Sequence, residues 1–204
     1  PQGSKVILCA RNKERGETAI AQLNEESIHN VDLGIIDISN QQSINEFSNF
    51  IKQNYKQIDI LINNAGFAFK NDATEPTHEQ ARKTIDINYY GTMAATLALK
   101  DFMAPKGRII FVSGFLGKNK YYSSESLVNT IMQKNLTVEE LSSFVEKFIE
   151  ETKKGTHLES GWPKGTYSVS KSAVNALCRI WAREWPELQV NVCNPGWCRT
   201  NMAR

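Results

Sequence analysis

The sequence predicts an open, doubly wound α/β sheet of the Rossmann type, on three observations. Apolar bursts of strand length alternate with amphipathic stretches of helix length, the order that parallel βαβ units with right-handed crossovers require. The bursts are nearly continuous in apolar residues, as befits parallel strands covered on both faces. Small or polar residues follow the bursts, at Arg11, Asp37, 64–66, Ser113 and 195–200. Such residues suit a ligand crevice at the carboxyl edge of the sheet.

The elements follow in order. "KVILCA" (5–10) reads as a strand, and after it Gly16, Ala19, Ile20 and Leu23 share one helical stripe. "VDLGIID" (31–37) is the second strand, trailed by Ile44, Phe47, Phe50 and Ile51 at helical spacing. "IDILINNAG" (58–66) is a third strand ending in a turn, and one long helix is expected from about 77 to 103. "GRIIFVSG" (107–114) is the fourth strand. "SAVNALCRIWAREW" is a helix, and "LQVNVCNPG" (188–196) the fifth strand. Residues 118–164 break this rhythm and read as a helical insertion. Within it Leu141, Phe144, Val145 and Phe148 form one stripe, and Thr137 with Glu140 reads as a capping box. The cap also accounts for "NLT" at Asn135, which formally matches a glycosylation acceptor.

Composition narrows the function classes. The 204 residues carry 24 basic and 22 acidic side chains, spread without a basic block or acidic tail, so neither nucleic acid nor a membrane surface is an expected partner. The longest apolar runs are strand-sized, far below the ~20 residues that span a bilayer. Cys9, Cys178, Cys193 and Cys198 are too irregular for a disulfide framework, and His29, His78 and His157 are far apart, which leaves no metal site. The expectation is one domain over residues 1–204, reduced and cytoplasmic. Both ends read as cut: the chain opens at Pro1 almost directly into a strand and stops soon after "CRT". A first βα unit and a C-terminal strand are expected to be missing.

Tyr167 and Lys171 in "TYSVSK" stand four residues apart at the start of a helix, hence on one face. A phenol with pKa near 10 is a poor acid–base group at neutral pH unless its anion is stabilised, and an ammonium one turn on supplies that stabilisation. They are either such a device or two surface side chains. Asn88 in "DINYYGT" taken alone is a helix-bending or capping residue. Arg11 taken alone is a surface arginine, and Trp162 in "GWP" an apolar plug.

Four motifs in order, each at a strand end, change the weighting. "NNAG", "VSG", "YSVSK" and "NPGWCRT" resemble the short-chain dehydrogenase/reductase family over essentially the whole chain. The 118–164 insertion resembles that family's monomeric NADPH-dependent carbonyl reductase branch. The resemblance implies reduction of a ketone, aldehyde or quinone to the alcohol or hydroquinone by hydride transfer from NADP(H). It implies Tyr167 as proton donor, Lys171 as its tuner and ribose anchor, and Asn88 as holder of a relay water. The family usually carries "VSS", whose second serine binds the substrate carbonyl. Here the pair is Ser113–Gly114, so strict register puts Gly114 in that place, and Ser113 serves only if the loop shifts.

By the same resemblance, Arg11 receives the 2′-phosphate of NADP, while Asp37 and Ile38 contact adenine. Asn64, Ala65 and Gly66 let the backbone approach the ribose. Pro195, Gly196, Cys198, Arg199 and Thr200 form the loop over the nicotinamide. Phe69, Lys70, Asn71, Gln80 and Trp197 line the substrate side. The family's glycine-rich turn is absent from these 204 residues. A catalytically silent relative, acting as a binding or scaffold module, is therefore the competing expectation. Because the insertion could cover the helices through which related subunits pair, a monomer is expected.

Overall fold

The computed structural model describes residues 3–70, 72–196 and 198. These fall into two units, residues 1–56 with 94–102 and residues 57–93 with 103–204. In the first, β1 (Val6–Ala10) and β2 (Val31–Ile35) pair in parallel, from Val6 opposite Val31 to Ala10 opposite Ile35. Between them runs α1 (Lys13–Glu25), whose first turn is capped by the Asn12 side chain accepting from the Arg15 N–H. The Asn40 side chain caps α2 (Gln41–Asn54) in the same way, each cap satisfying a donor that the helix leaves unpaired. Ile44, Phe47 and Ile51 are buried as their spacing predicts. Gly34 of β2 is a glycine for want of room, since a Cβ there would lie 2.6 Å from the Phe47 ring. The Ser48 hydroxyl donates to the Ala98 carbonyl at 3.0 Å, tying α2 to α4 (Thr92–Lys100).

In the second unit β3 (Ile58–Asn63), β4 (Met103–Val112) and β5 (Gln189–Cys193) form a parallel sheet in the order β3-β4-β5. Leu61, Ile109 and Val190 lie in one register row and face the core with Phe111 and the apolar side of α7 (Thr166–Glu184). The opposite face departs from expectation: Ile60 and Ile62 are 50% and 57% exposed. Side chains alternate along a strand, so a continuous apolar run announces two faces without saying that both are covered.

The long helix expected over 77–103 is interrupted. Helix α3 (Thr77–Ile85) passes into one π-helical turn, Asp86–Gly91, before α4 resumes. Strand β4 begins at Met103, four residues earlier than its apolar run. There the pairing with β3 shifts register between Ile58 and Ile60, and Lys106 takes a positive φ of 61°. Pro and Gly within "APKG" are residues that strands tolerate at such irregularities.

The insertion folds as two helices, α5 (Glu125–Ile131) and α6 (Val138–Lys154). Thr137 and Glu140 form the full capping box, and Gly155 closes α6 in the left-handed conformation at φ 75°, the usual glycine stop. The α6 stripe of Leu141, Phe144, Val145 and Phe148 is buried. Trp162 packs against Phe144, Phe148 and Tyr122 at 4.6, 5.2 and 6.0 Å between ring centres, and its indole N–H donates to Glu151 at 2.9 Å. Trp162 is thus the apolar plug of the insertion. Helix α6 is held to α3 and the π turn through Arg82 and Glu146, with the Tyr90 hydroxyl donating to Glu146 at 2.8 Å. No helix among the described residues is long and apolar enough to cross a membrane.

Candidate active site

Strand β4 ends at Val112 and runs into Ser113 and Gly114, directly beside the first turns of α7. Gly114 is extended, φ −161° and ψ 160°, a conformation open to any residue. Close approach explains the glycine instead: a Cβ there would sit 3.2 Å from the Tyr167 hydroxyl oxygen and 3.4 Å from its ring. The Ser113 N–H donates to the Cys193 carbonyl at 2.9 Å, and its hydroxyl donates at 3.4 Å to the Lys171 carbonyl. The structure brings Gly114 to Tyr167, and the hydroxyl of Ser113 bonds the backbone of α7.

Lys171 lies one turn beyond Tyr167 and is only 5% exposed. Its ammonium donates to the Val112 carbonyl at 2.8 Å and stands 5.6 Å from the centre of the Tyr167 ring. An ammonium has three N–H donors, and among the described residues only this one bond is made. Burial pulls the Lys171 pKa down to about 8, opposed weakly by Cys193. Burial also pushes the Tyr167 phenol up, the reverse of what lysine-assisted ionisation alone would give. Desolvation alone accounts for that rise, and the Lys171 ammonium is spent on the Val112 carbonyl. The phenol is thereby kept in its neutral, proton-bearing form.

Asn88 sits in the π turn, buried. Its Oδ1 accepts from the Phe67 N–H at 2.7 Å, and its Nδ2 donates to the Phe67 carbonyl at 2.8 Å and to the Ser170 hydroxyl at 3.0 Å. The side chain thus grips the segment after β3 and ties it to α7. A π turn re-aims one side chain within a helix and is frequent at functional sites. The grip brings Gly66 close: a Cβ there would lie 3.4 Å from Asn88 Oδ1 and 3.5 Å from Lys171 Nζ. Asn63, at the end of β3, has a buried Nδ2 with no partner among the described residues.

Tyr167, Lys171, Asn88, Ser113 and Gly66 are thus brought together at the ends of β3 and β4. Asn64 and Ala65 are exposed just before Gly66. Phe69 packs edge-on to Phe67 at 4.8 Å, Lys70 is exposed, and the Gln80 amide is occupied by the Glu75 carbonyl at 2.7 Å. Beyond β5, Pro195 is exposed and its carbonyl accepts from the Cys198 thiol at 3.7 Å. Gly196 turns at φ 77° and donates its N–H to the Asn194 side chain. Asn71, Trp197, Arg199 and Thr200 lie outside the described residues.

In the first unit, Arg11 is exposed just past β1, and Asp37 and Ile38 are half-buried beyond β2. Hydrogen bonds from the Ser39 hydroxyl and N–H hold the Asp37 carboxylate below its ordinary range, with a smaller contribution from the Arg11 charge.

Sequence reasoning missed Asn63, Ser170 and Phe67. The first two stand inside motifs already singled out, "NNAG" and "YSVSK". Phe67 acts through its backbone, which no side-chain pattern reveals.

Residues 1–126 match the short chain dehydrogenase family. Human carbonyl reductase [NADPH] 1 is 38% identical over 205 residues, covering 97% of this chain and 74% of that protein. Carbonyl reductase [NADPH] 3 of Rattus norvegicus is 37% identical over 98% of this chain and 74% of its own length. Salutaridine reductase from Papaver somniferum superposes with a TM-score of 0.88 at 26% identity, over 98% of this chain and 80% of that one. Menthone neomenthol reductase from Mentha piperita superposes with a TM-score of 0.85 at 27% identity, over 95% and 81%. The chain belongs to the short chain dehydrogenase family, and so to the oxidoreductases.

Proposed function

We propose that this protein reduces a carbonyl compound, a ketone, aldehyde or quinone, with NADPH, and that Tyr167 delivers the proton. The observation that carries the reading is the pairing of a neutral, part-buried phenol at the start of α7 with a buried ammonium one turn away that, among the described residues, has donors to spare. The relatives whose names state NADPH-dependent carbonyl reduction support it.

The residues fit the cofactor. The Gly66 cradle leaves space beside Lys171 Nζ that a Cβ would fill, and the two Lys171 N–H donors without a partner among the described residues suit ribose hydroxyls. Asn64, Ala65 and Gly66 would follow the ribose, and Pro195, Gly196, Cys198, Arg199 and Thr200 the nicotinamide. Arg11 would take the 2′-phosphate, with Asp37 and Ile38 at the adenine. Bound NADPH supplies the hydride to the carbonyl carbon. Tyr167 gives its hydroxyl proton to the carbonyl oxygen as the C=O becomes CH–OH, and the resulting phenolate regains a proton from solvent. Lys171 stabilises that phenolate, a charge worth several-fold more in a dry site than in water. Asn88 holds the Phe67 turn in place and has one lone pair on Oδ1 left for a relay water. Phe69, Lys70, Asn71, Gln80 and Trp197 are assigned to the substrate side, and Ser113 keeps its hydroxyl on the α7 backbone.

The reading treats residues 1–204 as one NADP-binding domain with the 118–164 insertion. A monomer is supported by α6 occupying the flank of α3 through Arg82 and Glu146. Four free cysteines suit a reducing compartment such as the cytoplasm.

One observation favours a second reading, a catalytically silent binding module: Gly114 leaves no side-chain hydroxyl against Tyr167. Following NADPH absorbance in the presence of quinones and aromatic aldehydes separates the two. Oxidation stoichiometric with alcohol formed is expected. NADPH binding without oxidation would favour the silent module.

A further inference from the structure

The two turns that bracket the Tyr167–Lys171 pair carry the same unusual surface, an aromatic ring with an ammonium parked on it. After β4, Phe115 is 46% exposed. Lys118 Nζ lies 4.3 Å from its ring centre and Lys120 Nζ 5.1 Å, with Lys120 also 5.2 Å from the Tyr121 ring. After β3, Lys83 Nζ lies 4.9 Å from the ring of Phe67 and 5.5 Å from that of Phe69. Among the described residues none of these three ammoniums forms an ion pair, and neither 64–71 nor 115–121 contains an acidic residue.

The first of these turns is rigidly mounted. Asn175 of α7 donates to the Gly117 carbonyl at 2.9 Å, and a Cβ on Gly117 would lie 2.9 Å from the Lys171 backbone. The turn is thus pressed on α7 while Phe115 faces outward. Phe115 follows Gly114, whose Cβ position is 3.2 Å from the Tyr167 hydroxyl. One Cα–Cα step and a side-chain length put the Phe115 ring no more than about 12 Å from that hydroxyl, the span of a small aromatic molecule.

An ammonium over an exposed ring gains only about 0.5–1 kcal/mol, less than a charge-assisted hydrogen bond to a carboxylate provides. Such lysines are held near the rim but are easily surrendered to an anion. Several like charges together also raise the local concentration of an oppositely charged substrate.

We propose that the substrate is an aromatic carbonyl compound carrying a carboxylate, its ring stacked on Phe115 and its charge met by Lys118 and Lys120. This deepens the carbonyl reductase reading and rests on it.

The test compares NADPH-dependent reduction of 4-carboxybenzaldehyde with that of the neutral 4-methylbenzaldehyde, by kcat/KM at low ionic strength. A preference of about tenfold or more for the anion is expected, carried by KM and shrinking as salt screens the lysines. In Lys118→Gln/Lys120→Gln the preference falls toward one, while the distant Lys153→Gln retains it. Reduction of both aldehydes with equal efficiency, or a preference unmoved by the double substitution, overturns this inference alone. Failure to oxidise NADPH with either aldehyde overturns the carbonyl reductase reading and this inference with it.

Discussion

Trp162 in the insertion and Lys171 at the strand ends are both nearly inaccessible, 2% and 5% exposed, yet their surroundings treat them oppositely. The Trp162 side chain itself is fully partnered: three rings close on it, and its one N–H reaches Glu151. Around Lys171 the surroundings stop short: among the described residues one carbonyl meets three donors, and Gly66 leaves open a Cβ position 3.5 Å from the ammonium. A buried cation lacking its full complement of partners weakens a fold unless something else supplies them. The contrast teaches where to look for chemistry in this molecule. The insertion closes on its plug, whereas the strand ends leave a buried ammonium short of partners among the described residues.

The comparison breaks first at Trp162. Trp162→Ala removes the centre of the aromatic cluster and should destabilise the protein by about 3–5 kcal/mol, read as a lower urea midpoint. A loss below about 1 kcal/mol would mean that the insertion does not depend on its plug.

Lys171→Met sharpens the other side. Between the folded value of about 8 and the ordinary 10.5, the unfolded chain holds a proton that the folded chain has lost. Wild-type stability from this group therefore rises with pH across that window. Relative to Lys171→Met, the wild type should gain up to roughly 3 kcal/mol between pH 7 and pH 10.5. Parallel stability profiles for the two proteins would show that the ammonium carries no burial penalty.

The smallest effect tests the insertion at its edge. Thr137→Ala removes one half of the α6 capping box and should cost about 1 kcal/mol, with amide exchange faster in the first turn of α6. Unchanged exchange there would mean that packing alone holds the helix end.

Legibility in the sequence followed locality. The α6 stripe and its capping box depend on residues three and four apart, and Leu141, Phe144, Val145 and Phe148 are buried where the spacing put them. The Tyr167–Lys171 pair was legible for the same reason. The π turn was not, because the phase shift it puts into the stripe falls on a segment, Asp86–Gly91, too short for a period to be read. Ser113 and Gly114 could be ordered by strand register, but the Ser113 bond to Lys171 and the Gly114 approach to Tyr167 join segments more than fifty residues apart. The exposure of Ile60 and Ile62 was hidden too, since an apolar strand reads alike whether one face or two are covered. Phe67 is gripped through its backbone, which leaves no trace in residue type.

The most direct test of the central claim is the turnover of Tyr167→Phe, which removes the phenolic oxygen and keeps the ring. With NADPH and an aromatic aldehyde, kcat should fall by about 10²–10⁴, the range that general acid catalysis supplies, while NADPH binding, followed by tryptophan quenching, persists. Turnover equal to that of the wild type would contradict the assignment of Tyr167 as the proton donor.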